Sequence, residues 1–117
     1  MAIKQVFVGV AAAHLDSALA WYERLLGRPP DTIPNENEAV WQLADTGWIY
    51  VVADTDRAGK SLLTLIVDDL EDHVAELPER GHPTGAIDTV PGLYRKAVII
   101  DPEGNMITFG EDLSADD

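Results

Sequence analysis

Ile99-Ile100-Asp101-Pro102-Glu103-Gly104-Asn105-Met106-Ile107-Thr108-Phe109 decides how this chain is read. A β-branched run stops at Asp-Pro, turns through Glu-Gly-Asn and resumes as alternating apolar residues, which is the pattern of two antiparallel strands joined by a short connection. Pro102 has a fixed φ and no N–H. Gly104 can take positive φ, and Asp101 and Asn105 can bond to nearby backbone, so each turn residue has its own physical reason to be there. In the strand from Met106 to Gly110, alternation puts Ile107 and Phe109 on one face and Met106, Thr108 and Gly110 on the other. The first face is core, and the second is left for another use.

Working outward, the strand before this turn is Arg95–Ile100, and Ala86–Val90 is a candidate edge strand. Ahead of them, Leu70, Val74 and Leu77 stripe a short helix that Asp68 or Asp69 can cap, with Glu71 and Asp72 near its positive end and Pro78 and Gly81 closing it. Ser61–Val67 supplies the strand that feeds this helix. The same order occurs earlier in the chain. Ile3–Val10 alternates as a strand, and Asp16 or Ser17 can cap a helix whose Ala18, Trp21, Tyr22, Leu25 and Leu26 form one apolar stripe, stopped by Gly27 and Pro29-Pro30. Asp31–Glu38 reads as a loop or short edge strand. Ala39–Ala44 and Trp48–Ala53 are strands joined through Asp45-Thr46-Gly47, and Asp54–Lys60 is a charged linker. The chain is thus one α+β domain, residues 1–117, built from two βαβββ modules at about 1–55 and 60–111. The acidic tail, 112–117, is expected to fray.

Composition bounds the function. With 117 residues, 46% of them hydrophobic, there is enough chain for one sizeable core and not two. The absence of cysteine excludes disulfides, thiolate nucleophiles and thiolate metal sites. Eight basic residues stand against 21 acidic ones, a formal charge of −13. A field of that sign repels phosphate backbones, so nucleic acid is not an expected partner, and it favours cationic molecules. No apolar run approaches a membrane span, and no basic region followed by an apolar signal segment opens the chain, so the expected compartment is the cytoplasm. A Gly-rich phosphate loop, a Gly-x-Ser-x-Gly elbow and a His-Glu-x-x-His helix are all missing.

Val-Phe-Val-Gly-Val (6–10) with Ser-Ala-Leu-Ala-Trp-Tyr-Glu-Arg-Leu-Leu-Gly (17–27), Leu-Ile-Val-Asp-Asp-Leu (65–70) and Asp-Pro-Glu-Gly-Asn (101–105) together resemble the vicinal oxygen chelate superfamily. That superfamily holds glyoxalases, extradiol dioxygenases, fosfomycin-resistance enzymes and bleomycin-binding proteins. The resemblance covers nearly the whole chain and implies a curved eight-stranded mixed sheet around a cavity, often in a homodimer. It also implies where metal-dependent members hold their cation, and those positions carry Phe7, Tyr50, Leu62 and Thr108 here. A divalent site needs imidazole, carboxylate or thiolate donors, so no metal or other cofactor is expected.

Alternation then assigns the cavity wall. If Val6, Val8, Val10, Ile49, Val51, Leu63, Leu65, Ile107 and Phe109 pack under the helices, Phe7, Gly9, Trp48, Tyr50, Leu62, Thr64, Met106 and Thr108 face the concave side. That wall suits an aromatic or cationic organic ligand held without chemistry. Gly9 is read as leaving room, and Trp41, Tyr94 and Arg95 are rim candidates; Arg95 and Lys96, with Tyr94, form a local basic pair that either holds an anionic group of a ligand or balances neighbouring acids at a solvated strand end. Glu111 is read as a solvated charge. No catalytic residue is assigned. The expected function is small-molecule binding in the manner of bleomycin-resistance proteins. The alternatives are a glyoxalase-like lyase or isomerase, or a dioxygenase-related enzyme, with a non-standard site, and a module that only dimerises or docks to a partner.

Overall fold

The structure, a computed structural model, describes residues 2–114. In chain order it contains β1 (Val6–Ala12), α1 (Leu15–Leu26), β2 (Thr32–Asn35), β3 (Glu38–Ala44), β4 (Gly47–Ala53), β5 (Leu62–Ile66), α2 (Leu70–Glu76), a 3-10 turn (Leu77–Arg80), β6 (Asp88–Val90), β7 (Tyr94–Ile100) and β8 (Met106–Asp112). Two βαβββ modules are present, as the repeat in the sequence implies. The eight strands form two four-stranded mixed sheets, ordered β1-β4-β3-β2 and β5-β8-β7-β6. In each, the first strand of the module runs parallel to the last, and the remaining pairs are antiparallel.

The register makes the repeat quantitative. Phe7 pairs with Trp48 as Leu62 pairs with Met106, and Gly9 pairs with Tyr50 as Thr64 pairs with Thr108. On the helix side, Val8 pairs with Ile49 and Leu63 with Ile107. One core runs through both modules. It holds Val10, Tyr22, Leu25, Trp41, Ile49 and Val51 together with Leu63, Leu70, Leu77, Ile107 and Phe109. Each fully buried large side chain contributes about 1.5–3 kcal/mol of apolar transfer, so a shared cluster of this size ties the modules into one folding unit.

Local chemistry accounts for the element ends. α1 stops at Gly27, whose left-handed φ of 79° lets its N–H bond back to Glu23 O. Asp69 caps α2, its carboxylate accepting from Asp72 N at 3.1 Å. The start of α1 differs from expectation. Its N-cap is His14, which makes no side-chain cap, and the loose N–H groups of Ala13 and His14 donate instead to the Glu103 carboxylate from the other module. Asp16 and Ser17 therefore lie inside the helix, where Ser17 Oγ donates to His14 O at 3.2 Å.

Three further expectations are corrected. β1 begins later and runs further than Ile3–Val10, and its first half is covered on neither side: Val6 is 54% exposed and Val8 36%, so neither packs under a helix. The helix layer reaches β1 only from Val10 onward. Glu111 is not a free surface charge, because its Oε1 accepts Leu70 N at 3.0 Å and completes the start of α2. Nor does the tail fray at its beginning: β8 continues to Asp112 and Leu113 N donates to Leu93 O at 2.9 Å. The rest of that expectation, for Ala115–Asp117, lies outside the described residues.

The Asp101–Asn105 turn is more than a connection. Asp101 and Asn105 are 5% and 1% exposed. Asp101 Oδ1 accepts Glu103 N and Asn105 N at 2.9 and 2.8 Å, and its Oδ2 accepts Tyr22 OH and Asn105 Nδ2, both at 2.8 Å. Asn105 Nδ2 also donates to Ala11 O at 3.0 Å, and its Oδ1 accepts Ser61 N at 2.9 Å. Burial, then the neighbouring Asp101 carboxylate, hold the Tyr22 phenol protonated far above its ordinary range. Every group in this network has a partner, the condition under which buried polar groups add rigidity to a core.

Candidate binding faces

Each sheet turns one face to the helices and leaves the other open, and the open faces carry the residues that alternation assigned to a cavity wall. On the first sheet, the rings of Phe7 and Trp48 stack at 5.5 Å between centroids with 16° between planes. Phe7 is 51% exposed, so half of this stack presents a flat aromatic surface. Next to it, the Tyr50 ring lies across Gly9. A Cβ built on Gly9 would come within 2.6 Å of Tyr50 Cζ. The space that glycine leaves is therefore filled by the tyrosine of its own paired strand and is not ligand room. Beyond the ring, Gly9, Ala11, Tyr50, Val52 and Ser61 line a small hollow of about 230 Å³, closed at one end by the Asp54–Arg57 ion pair at 2.7 Å.

On the second sheet the equivalent places are aliphatic and hydroxylic. Leu62 is 77% exposed and Met106 38%, while Thr64 and Thr108 border a hollow of about 460 Å³ that also touches Ile66, Tyr94, Lys96 and Gly110. Of the eight wall residues, Gly9 and Tyr50 line the first hollow and Thr64 and Thr108 the second, while Phe7, Trp48, Leu62 and Met106 line neither, so within one chain they do not enclose a single cavity. Val6 and Val8, expected in the core, join Phe7, Leu62 and Ile66 as exposed apolar residues on β1 and β5, each an edge strand of its sheet.

The rim candidates separate. Trp41 is fully buried in the core, and its Nε1 donates to Arg28 O at 2.9 Å, so it is not a rim residue. Its β3 position puts it beside Ile49 on the helix side, a face the sequence left undecided. Arg95 shares the helix side of β7 with the buried Ala97 and reaches Glu71 on α2 at 3.1 Å. Tyr94 and Lys96 fall on the open side, with the lysine Nζ 5.9 Å from the centre of the tyrosine ring. The sequence took Arg95 and Lys96 as one basic pair; strand alternation, with Lys96 opposite Gly110 on β8, puts only Lys96 on the open side.

The four positions where the resemblance places metal ligands offer a phenyl ring, an isobutyl group and two hydroxyls. Those side chains do not fit a divalent cation. Among the described residues no group of three or more histidines, aspartates or glutamates lies close enough to hold one. His14 sits exposed at the start of α1. His73 packs its ring 4.4 Å from Phe109 on the helix side, and His82 stacks on Trp21 at 4.5 Å while its Nε2–H donates to Trp21 O at 2.9 Å. None of the three points to an open face shared with the other two. No described helix is long and apolar enough to cross a membrane.

Solved structures place this geometry. The chain superposes with a TM-score of 0.85 on a glyoxalase/bleomycin resistance protein from Catenulispora acidiphila DSM 44928, at 41% identity over 92% of this chain and 96% of that one. The antibiotic-binding protein TnmS3 from Streptomyces sp. CB03234 matches with a TM-score of 0.76 at 23% identity, covering 96% of this chain and 98% of its own. A bleomycin-binding protein solved with bleomycin also reaches 0.76, at 19% identity over 94% and 99% of the two chains. The last two share the fold alone. No protein-family model matches the sequence, and no curated protein does.

Proposed function

The chain belongs to the glyoxalase/bleomycin-resistance family of the vicinal oxygen chelate superfamily, and from that premise we propose that it is a metal-free binding protein that sequesters a flat, aromatic organic molecule. The observation that carries this reading is the exposed Phe7–Trp48 stack, which stands on the open face beside positions where the resemblance puts a cation. Stacked rings offer a large rigid contact surface at small entropic cost, and their faces also accept cations. The net charge of −13 raises the local concentration of positively charged compounds, so aromatic cations are favoured among flat ligands. Two neighbours of the same fold are bleomycin- and antibiotic-binding proteins, which supports binding as the use of these faces.

The working form in this reading is a homodimer. Its support is the exposed apolar residues on the β1 and β5 edges, Val6 at 54% and Leu62 at 77%. Sheet edges with apolar side chains of this kind are ordinarily covered. Burial of Leu62 and Val6 against a second copy leaves the aromatic stack as the feature available to a ligand.

Tryptophan fluorescence tests the function directly. Titration with a panel of aromatic compounds, cationic glycopeptides included, is expected to give saturable quenching that Trp48→Leu removes, with elemental analysis showing no stoichiometric metal. Silence across the panel, or a tightly held transition metal, overturns the reading.

A further inference from the structure

Four basic residues meet no carboxylate among the described residues, and of these Lys4, Arg24 and Lys60 are exposed while Lys96, on the second sheet, is half-buried. Arg28, Arg57, Arg80 and Arg95 each meet a carboxylate, at 3.0, 2.7, 3.3 and 3.1 Å. Lys96, half-buried on β7 in a chain with 21 acidic residues, meets none among the described residues. Asp88 is its cross-strand partner on β6 and stays beyond ion-pair distance. Arg95 and Glu111 line the same hollow but are engaged, the first with Glu71 and the second with the start of α2, and Asp112, at its end, has partners of its own.

What surrounds Lys96 is otherwise suited to an acid. Its ammonium stands over the Tyr94 ring, which keeps the stem along the wall of the 460 Å³ hollow. Gly110, paired with Lys96 across the ladder, contributes no side chain of its own to the floor. Thr64 and Thr108, paired with each other, bring two hydroxyls to the same hollow, and Ile66, Leu93 and Tyr94 supply apolar and aromatic walls.

We propose that this hollow is an anion-anchoring half-site, in which Lys96 holds the carboxylate of a small aromatic acid while the threonine hydroxyls donate to its oxygens. The inference rests on the binding function argued above and names the chemistry of one end of the ligand. A partly desolvated ammonium gains more from a carboxylate than an exposed one, because neither charge is fully screened. The long-range field of the chain opposes anions, so the anchor acts at contact distance and selects molecules that carry an aromatic body with a single acidic group. An amphoteric compound satisfies both the field and the anchor.

The test compares 2-naphthoate with its neutral isostere 2-naphthamide, using amide chemical shifts of Thr64, Lys96, Thr108 and Gly110 as the readout of this hollow. Wild type is expected to bind the acid about tenfold or more tightly than the amide, the worth of one charge-assisted contact. Lys96→Met is expected to erase that difference without weakening the amide, and Lys96→Arg to keep it. Equal affinity for acid and amide in wild type, or an acid preference that survives in Lys96→Met, overturns the anchor. If these amides stay silent to both probes while Trp48 fluorescence responds to the aromatic panel, the anchor falls and the binding function stands. If Trp48 is silent as well, both fall.

Discussion

The two modules share a register and differ in what they do with it. On the helix side the equivalent residues stay apolar throughout: Val8 and Ile49 answer to Leu63 and Ile107, and Val10 and Val51 to Leu65 and Phe109. On the open side the stacked Phe7 and Trp48 answer to Leu62 and Met106, and Gly9 under Tyr50 answers to a threonine pair. The repeated frame constrains the buried face, because any polar change there costs a core contact, and it leaves the outward face free to diverge.

Their hairpin turns diverge too. The turn in the first module, Asp45-Thr46-Gly47, is exposed. In the second, the turn's end residues Asp101 and Asn105 are buried and bonded to Tyr22, Ala11 and Ser61, so the second module clasps the first.

That asymmetry can be broken by experiment. Asp101→Ala leaves the Tyr22 hydroxyl and the turn N–H groups without an acceptor in a buried place, and is expected to lower unfolding stability by about 3 kcal/mol or more. Asp45→Ala, at the matching turn, should change it by less than about 0.5 kcal/mol. Urea midpoints on both variants decide the matter, and equal costs would mean the buried turn is not a clasp.

Two glycines give a smaller, sharper contrast. Gly59 in the linker has φ 81°, and a Cβ there would meet the Glu103 carbonyl oxygen at 2.4 Å. Gly47 has no positive φ, and its Cβ would meet Ala44 Cβ at an ordinary 3.6 Å. Gly59→Ala is expected to cost about 2 kcal/mol because backbone must move, and Gly47→Ala to be neutral within about 0.5 kcal/mol, both read from thermal unfolding.

The smallest effect is a pH dependence. Burial lowers the His73 pKa, the Arg80 guanidinium lowers it further, and Glu76 offsets part of this. The unfolded chain therefore takes up the proton first, so His73 weakens the fold as pH drops below about 6.5, and the loss levels off once the folded form is protonated too. His73→Gln should flatten that part of the stability curve. A curve unchanged by the substitution would show that His73 carries none of it.

Much of this was legible in the residues. The Asp-Pro-Glu-Gly-Asn turn, the two apolar helix stripes and the alternation of β8 are local patterns with periods of 2 or 3.6, and local patterns survive into the fold because burial enforces them. The repeat followed from the same periods. Other features depended on residues far apart in the chain. Glu103 serving the start of α1 and Trp41 sinking into the core arise where modules or layers meet, and the Tyr50 ring filling the space over Gly9 arises between strands paired across the first module.

By itself, then, the sequence determined the βαβββ frame, which is written in residue type and spacing, and the resemblance it carries implied that Phe7, Tyr50, Leu62 and Thr108 stand where metal-dependent relatives hold their cation. Only the tertiary structure decided that the eight wall residues divide between two open faces, that β1 stays half uncovered, and that Lys96 meets no carboxylate among the described residues. Those outcomes depend on how layers pack and how far side chains reach, quantities that no periodicity encodes.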